Sequence, residues 1–335
     1  MKKIFFCVII LSLFQLSAYS AETLKYSEAQ NKIAAFVTKL PGIQAVGFKD
    51  FQSGETFFVS KKQYVPAASI IKMPVMAAVY MDAADGRLNL NERITLKSSD
   101  ILGGSGILKR TRLGSNYSIR DLVNYMIVNS DNSATYMLIK KVGLSRIQRR
   151  IDELGLYNTK LQDETMLAEE PGHWMNLTTP EDMIKLLSLI YKGRVASKGY
   201  CDEMLEIMKK QHYRWGIPRK LPKTLEIANK TGFQDGVLND IGIVFTDRGD
   251  FAVTIFVSNL PDMYTERNII NSISSVAYKA FMGMSLGDKI ILASKPKNYV
   301  RKTVKSKKSS FRSKRKYRSQ SKLKKHRRVY KTKVV

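Results

Sequence analysis

Two β-hairpin patterns, one near each end of the folded part of the chain, enclose a long stretch of helical periodicity. The first covers residues 45–49 and 56–60, and the second covers residues 237–245 and 251–259. This order predicts an α/β fold of the α+β type, in which an antiparallel sheet is flanked by helices and interrupted by an inserted all-helical lobe.

Apolar residues with helical spacing predict the helices of this fold. The apolar stripes of these helices run through residues 27–40, 71–81, 119–128, 134–142, 144–154 and 180–191, and a final helix is predicted at about residues 268–284. We expect one catalytic domain over residues 21–290. Its α/β lobe is predicted at about residues 21–62 and 212–290, and its helical lobe at about residues 63–211.

The first 20 residues predict a secretory signal peptide. Lys2 and Lys3 precede an apolar run over residues 4–16, and small residues follow at Ala18 and Ser20. The run is shorter than the roughly 20 residues that span a bilayer, so a membrane anchor is the weaker interpretation. We therefore expect cleavage near residue 20, export to the periplasm or the medium, and no transmembrane anchor afterwards.

The last 41 residues concentrate the positive charge of the chain. Residues 295–335 hold 19 of the 56 Lys and Arg residues and none of the 29 acidic ones, in a chain of net charge +27. With so little apolar surface this tail is expected to be disordered in isolation. In an exported protein its expected partners are anionic cell-envelope polymers or lipid head groups rather than nucleic acid. A solvated tail with no dedicated partner is the alternative.

The chain lacks the usual patterns of metal hydrolases. Its three histidines occur without HxH or HExxH spacing, and Cys7 and Cys201 are its two cysteines. G-x-S-x-G is absent, which disfavours a Ser-His-Asp hydrolase of that type. We expect no metal and no cofactor.

A serine–lysine pair offers a different chemistry. Ser69 and Lys72 are three residues apart, on one face of a predicted helix, where a hydroxyl and an amine can share a proton. The same S-x-x-K spacing recurs in or beside the basic tail. The apolar run over residues 73–80 distinguishes Ser69, because it would bury the helix and hold this serine near the helix N-terminus.

Two further motifs follow in order. Ser130-Asp131-Asn132 lies after the predicted helix 119–128, and Lys230-Thr231-Gly232 precedes the second hairpin. S-x-x-K, S-D-N and K-T-G at separations of 61 and 100 residues resemble the active-site signature of class A β-lactamases and penicillin-binding proteins. The resemblance covers about residues 24–284 and implies a β-lactamase/transpeptidase-like fold.

The resemblance also implies roles for these residues. Ser69 would attack the amide carbonyl, Lys72 would take the proton of Ser69 or keep the pKa of Ser69 low, and Ser130 would relay a proton to the leaving nitrogen. The backbone N–H groups of Ser69 and Phe233 would form the oxyanion hole.

The remaining motif residues are implied to bind substrate. Asn132 would donate its amide to the substrate side chain, while Lys230, Thr231 and Gly232 would face the substrate carboxylate with Phe233 beside them. A capping asparagine and a surface lysine are the alternatives for Asn132 and Lys230 if the three motifs are disregarded.

Release of the acyl group requires a further residue, and Glu164 is the candidate base for it. Ala168 stands where the family usually has the asparagine that helps to hold the water. Gln162 and Asn176 stand where it usually has an Arg–Asp pair, so a neutral pair would close the loop. The rival bases are Glu169 and Glu170.

The leading interpretation is therefore an exported serine β-lactamase of class A type that hydrolyses β-lactam amides through an acyl-enzyme on Ser69. The first alternative is a D-alanyl-D-alanine carboxypeptidase or slow penicillin-binding protein that acts on peptidoglycan stems. The second is a non-catalytic cell-wall binding protein, which has no need of the paired Ser69 and Lys72.

Overall fold

A five-stranded antiparallel sheet joins the two ends of the folded chain. The computed structural model describes residues 26–165, 176–260, 262–287 and 290. The sheet has the order β2-β1-β9-β8-β7. Its strands are β1 (Ile43–Asp50), β2 (Thr56–Val59), β7 (Ile227–Gln234), β8 (Val237–Thr246) and β9 (Gly249–Ser258). Because β1 pairs with β9 from Ile43↔Ser258 to Asp50↔Phe251, the two predicted hairpins form one sheet.

Four short strands form two small sheets in the inserted segment. They are β3 (Val65–Pro66) with β6 (Leu177–Thr178), and β4 (Arg93–Thr95) with β5 (Asn116–Ser118). The first of these ribbons leads directly into the turn that carries Ser69.

Eight helices are described. They are α1 (residues 26–37), α2 (Lys72–Ala84), α3 (Ile119–Val128), α4 (Asn132–Val142), α5 (Leu144–Glu153), α6 (Pro180–Tyr191), α7 (Lys198–Lys209) and α8 (Met263–Phe281). Capping residues in the sequence determine where some of these helices begin. Thr179 caps α6, with Pro180 at its first position, and Asp131 caps α4.

The sheet separates two hydrophobic cores. Along β9 the side chains alternate, so that Phe251, Val253 and Ile255 join the core formed with α1 and α8, whereas Ala252 and Phe256 join the core of the helical lobe. At the centre of that lobe α2 is buried around almost its whole circumference. The predicted fold class, an antiparallel sheet flanked by helices with an inserted helical lobe, is confirmed.

The predicted signal peptide and the basic tail lie outside the described residues, as does the segment 166–175. Among the residues that the structure describes, no helix is long and apolar enough to cross a membrane.

Candidate active site

Ser69 lies in a short 3-10 turn, Ala68–Ile71, that continues directly into α2. Ala68 has φ +45°, a left-handed conformation that costs a non-glycine residue about 1 kcal/mol or more. Two contacts hold the chain before it: Asn239 Nδ2 donates to Pro66 O at 2.8 Å, and Ala67 N donates to Asn176 O at 2.9 Å. The strained turn is therefore fixed from β8 on one side and from residue 176 on the other.

Lys72 is fully buried in the first turn of α2. Its Nζ lies within hydrogen-bond distance of three acceptors: Ser130 O at 2.6 Å, Asn132 Oδ1 at 2.7 Å and Ser130 Oγ at 3.3 Å. These contacts join the S-x-x-K helix to the S-D-N motif.

The S-D-N motif forms the tight turn between α3 and α4. Ser130 has φ +52° and is almost fully buried. Asp131 caps α4 through Ala134 N at 2.9 Å, and its other oxygen accepts from Ile107 N at 2.6 Å. Asn132 Nδ2 donates to Gly103 O at 3.0 Å. The turn is thus bound to both its own helix and the loop before it.

Lys230 reaches the same serine from the sheet. It lies on β7 and its Nζ donates to Ser130 Oγ at 3.0 Å and to Thr231 O at 2.7 Å. A Cβ added at Gly232 would lie 3.1 Å from Ala67 O, so glycine permits β7 to pack closely on the turn that carries Ser69. Ser130 Oγ therefore accepts from two lysines that belong to different lobes.

Burial shifts the charge state of these lysines. It lowers the pKa of Lys72 well below its ordinary value, and the positive charge of Lys230 lowers it further, while Asp131 opposes both effects. Burial likewise lowers the pKa of Lys230 to about 7, opposed by the buried carboxyl of Asp240. Both amines thus release a proton more readily than a surface lysine.

A cavity of about 230 Å³ opens at Ser69. Ser69, Ser130, Thr231 and Phe233 line it, which brings residues from all three motifs to one surface. Ser105 also lines it, and the lining residues that the sequence analysis missed are Tyr213, Trp215, Leu238, Met263 and Arg267. Tyr213 and Trp215 are the two for which a sequence signal existed, an aromatic pair in the segment that links α7 to the sheet.

Comparison with known proteins identifies the family. The sequence model of the Beta-lactamase enzyme family matches residues 28–281. The chain belongs to this family.

Relatives within the β-lactamases are distant but nearly full-length. Beta-lactamase VEB-1 from Pseudomonas aeruginosa is 25% identical over 255 residues, which cover 71% of this chain and 85% of that protein. Beta-lactamase SME-1 from Serratia marcescens is 24% identical over 280 residues, covering 79% and 93%.

Solved structures agree in fold. A β-lactamase from Sphaerobacter thermophilus has a TM-score of 0.73 and 31% identity, covering 77% of this chain and 98% of that one. The protein PBP-A has a TM-score of 0.72 and 28% identity, covering 77% and 97%, and a variant of PBP-A was solved as an acyl-enzyme complex with penicillin G.

In this member of the β-lactamase family, Asn176 closes the base of the loop that carries Glu164. Its side-chain Oδ1 accepts from Gln162 N at 2.8 Å and from Asp163 N at 3.1 Å, and its Nδ2 donates to Asp163 O. Gln162 takes part through its backbone, and the residue as a whole is exposed. The base of the loop is therefore closed by hydrogen bonds between the neutral side-chain amide of Asn176 and the backbone of Gln162 and Asp163.

Glu164 is half-buried and is not among the described residues that line the cavity at Ser69. Its charge helps to raise the pKa of Lys140, whose main partner is Asp100. Ala168, Glu169 and Glu170 lie outside the described residues.

Proposed function

We propose that this chain is an exported serine β-lactamase of class A type, which opens β-lactam amides through an acyl-enzyme on Ser69. The observation that supports it most is the convergence of Lys72 and Lys230 on Ser130 Oγ, in a cavity that Ser69 also lines. This arrangement supplies a nucleophile, a proton acceptor and a proton relay at one surface.

Acylation follows from the positions of these groups. Lys72, with its lowered pKa, takes the proton as Ser69 Oγ bonds to the carbonyl carbon, and the developing oxyanion is held by the N–H groups of Ser69 and Phe233. As the C–N bond breaks, Ser130 gives its proton to the leaving nitrogen and recovers one from a neighbouring ammonium.

Substrate is held by the remaining motif residues. Lys230 and Thr231 meet its carboxylate beside Gly232, and Asn132 donates an amide hydrogen to its side chain. Asn132 Oδ1 accepts a hydrogen bond from Lys72 Nζ, so the NH₂ group of Asn132 is left to donate to other acceptors.

For deacylation we propose Glu164 as the base that activates water. Replacing it by glutamine, Glu164→Gln, should leave the acylation burst intact and slow release of the product by about 100-fold, the scale of general-base loss. Single-turnover kinetics with a penicillin measure both steps, and Glu28→Gln on α1 is a matched control. Release at the original rate would move the role to Glu169, Glu170 or Lys72.

A second candidate is a slow penicillin-binding protein or D-alanyl-D-alanine carboxypeptidase that acts on peptidoglycan stems. It is favoured by the absence of Glu164 from the described residues that line the cavity at Ser69, because an acyl-enzyme without a base beside it releases its product slowly. The likeness to PBP-A, which forms a penicillin acyl-enzyme as a variant, is consistent with the same chemistry.

Two measurements separate these candidates. Turnover of a chromogenic cephalosporin at many cycles per minute supports the hydrolase. One stable penicillin adduct per chain in the intact mass spectrum, without turnover, supports the slow penicillin-binding protein. Absence of both would leave a non-catalytic binding protein and would overturn the proposed chemistry.

We also propose that residues 295–335 bind an anionic cell-envelope polymer. Deleting them should weaken co-sedimentation with cell-wall fragments about tenfold at low salt and flatten its salt dependence, because 19 positive charges are lost. The value of kcat/KM should not change. A tail of shuffled sequence is the control and should restore binding; equal sedimentation of the truncated and full chains would contradict the proposal.

A further inference from the structure

A second cavity adjoins the first. It measures about 440 Å³ and shares Ser105 and Tyr213 with the cavity at Ser69. Its other lining residues are Gly104, Gly106, Ile107, Lys109, Arg110, Asn129 and His212. Asn129 lines this cavity and its neighbour Ser130 lines the first, so the two cavities meet at the residue that we propose as the proton donor to the leaving nitrogen.

One wall of the second cavity is fixed to the S-D-N turn. Asp131 Oδ2 accepts from Ile107 N at 2.6 Å and from Leu108 N at 2.8 Å, while Asn132 N donates to Ser105 O at 3.1 Å. Gly106 has φ +117°, and a Cβ there would collide with the carboxylate of Asp131. The S-D-N turn therefore fixes the backbone path of the loop around residues 105–108.

The opposite wall is fixed to the end of α3. Gln211 is buried, its Nε2 donates to Ile127 O at 3.0 Å, and its Oε1 accepts from Tyr213 N at 3.0 Å. His212 N donates to Val128 O at 3.1 Å. Both walls are thus anchored to the two ends of the same turn, so the cavity is built before a ligand arrives.

The charge of this cavity is positive. Lys109 and Arg110 line it and no Asp or Glu does. Neither residue forms an ion pair with an acidic residue that the structure describes. Lys109 is half-buried, with its ammonium donating to Gly104 O, so its charge is held at the rim of the cavity rather than extended into solvent. His212 adds a further nitrogen donor.

We propose that this cavity is a substrate subsite for a second carboxylate, carried on a side chain of the leaving-group part of the substrate and distinct from the carboxylate that Lys230 and Thr231 hold. The inference rests on the proposed function, because it takes Ser130 as the donor to the leaving nitrogen. A fixed wall with two cations favours an anionic group over a neutral one of the same shape.

A matched pair of substrates tests the subsite. We would compare a cephalosporin whose C3 side chain ends in a carboxylate with the same compound ending in a carboxamide. The acylation kcat/KM of the unmutated protein should favour the carboxylate about tenfold at low salt, and the preference should shrink as salt increases. In the double variant Lys109→Gln/Arg110→Gln the ratio should fall to near one.

The control variant removes two charges elsewhere. Lys192 and Arg194 are exposed after α6 and line neither cavity, so Lys192→Gln/Arg194→Gln should keep the tenfold ratio. Equal reaction of both compounds with the unmutated protein, or an unchanged ratio in the Lys109/Arg110 variant, would overturn the subsite. If neither compound acylates Ser69, the proposed function fails, and the ratio of the two dissociation constants by calorimetry still decides the subsite.

Discussion

Replacing Ser69 with alanine is expected to abolish covalent labelling by penicillin and reduce β-lactam turnover to background. The change removes one oxygen from a cavity wall, and the turn around it is held by backbone contacts of Pro66 and Ala67. The fold should therefore survive, with a thermal unfolding midpoint close to that of the unmutated protein. Intact-protein mass spectrometry after incubation with penicillin G measures the loss.

The chain contains a matched control for this experiment. Ser313 has the same S-x-x-K spacing but lies in the basic tail, so Ser313→Ala should retain full labelling. A persistent adduct on the Ser69→Ala protein would remove Ser69 as the nucleophile and, with it, the proposed reaction.

Replacing Lys72 with methionine should slow acylation about 1000-fold, within the range for loss of a positioned general base. Methionine is unbranched and only one atom shorter than lysine, but it cannot accept a proton from Ser69. It also leaves Ser130 O and Asn132 Oδ1 without their donor, so circular dichroism must show that the variant is folded. Lys198→Met, at an exposed position on α7, is the control.

The pH profile separates this chemical role from a structural one. Acylation needs a neutral Lys72, whose pKa is well below ordinary, so kcat/KM should rise as pH increases through that lowered value. It should fall above about pH 7 as Lys230 loses the charge that holds the substrate carboxylate. Lys72→Met should remove the rising limb and keep the falling one. A variant that keeps both limbs and the original rate would contradict the assignment.

The strongest periodic patterns allowed the fold to be predicted. The helix beginning at Pro180 and the strands near residues 237 and 251 were found within a few residues, because buried apolar faces and capping residues coincide there. Strand β7 (Ile227–Gln234) was not predicted. Asn229, Lys230 and Thr231 are buried on it, and polar residues at buried positions conceal the strand pattern. Helix α7 was overlooked although Cys201, Met204 and Met208 give it an apolar stripe.

The candidate site likewise contains residues that the sequence predicted and residues that it could not predict. The three short motifs brought Lys72, Ser130 and Lys230 together only through their resemblance to a known active-site signature, and the structure places these three residues in contact. The contributions of Tyr213 and Asp240 could not be predicted. Asp240 accepts a hydrogen bond from Ile217 N at 2.7 Å. Tyr213 is held at the cavity by the hydrogen bond from its backbone N–H to Gln211 Oε1. Such contacts depend on tertiary packing between segments with no shared sequence signal.

The carboxylate of Asp131 holds the neighbouring loop by accepting hydrogen bonds from the backbone N–H groups of Ile107 and Leu108. Because these are backbone contacts, they do not depend on most side chains of the loop; Gly106, where a Cβ would collide with Asp131, is the exception. Substitutions at Lys109 and Arg110 should therefore change the charge of the second cavity while leaving these backbone contacts in place. Ser130, which directly precedes Asp131, should then keep its position beside Lys72 and Lys230.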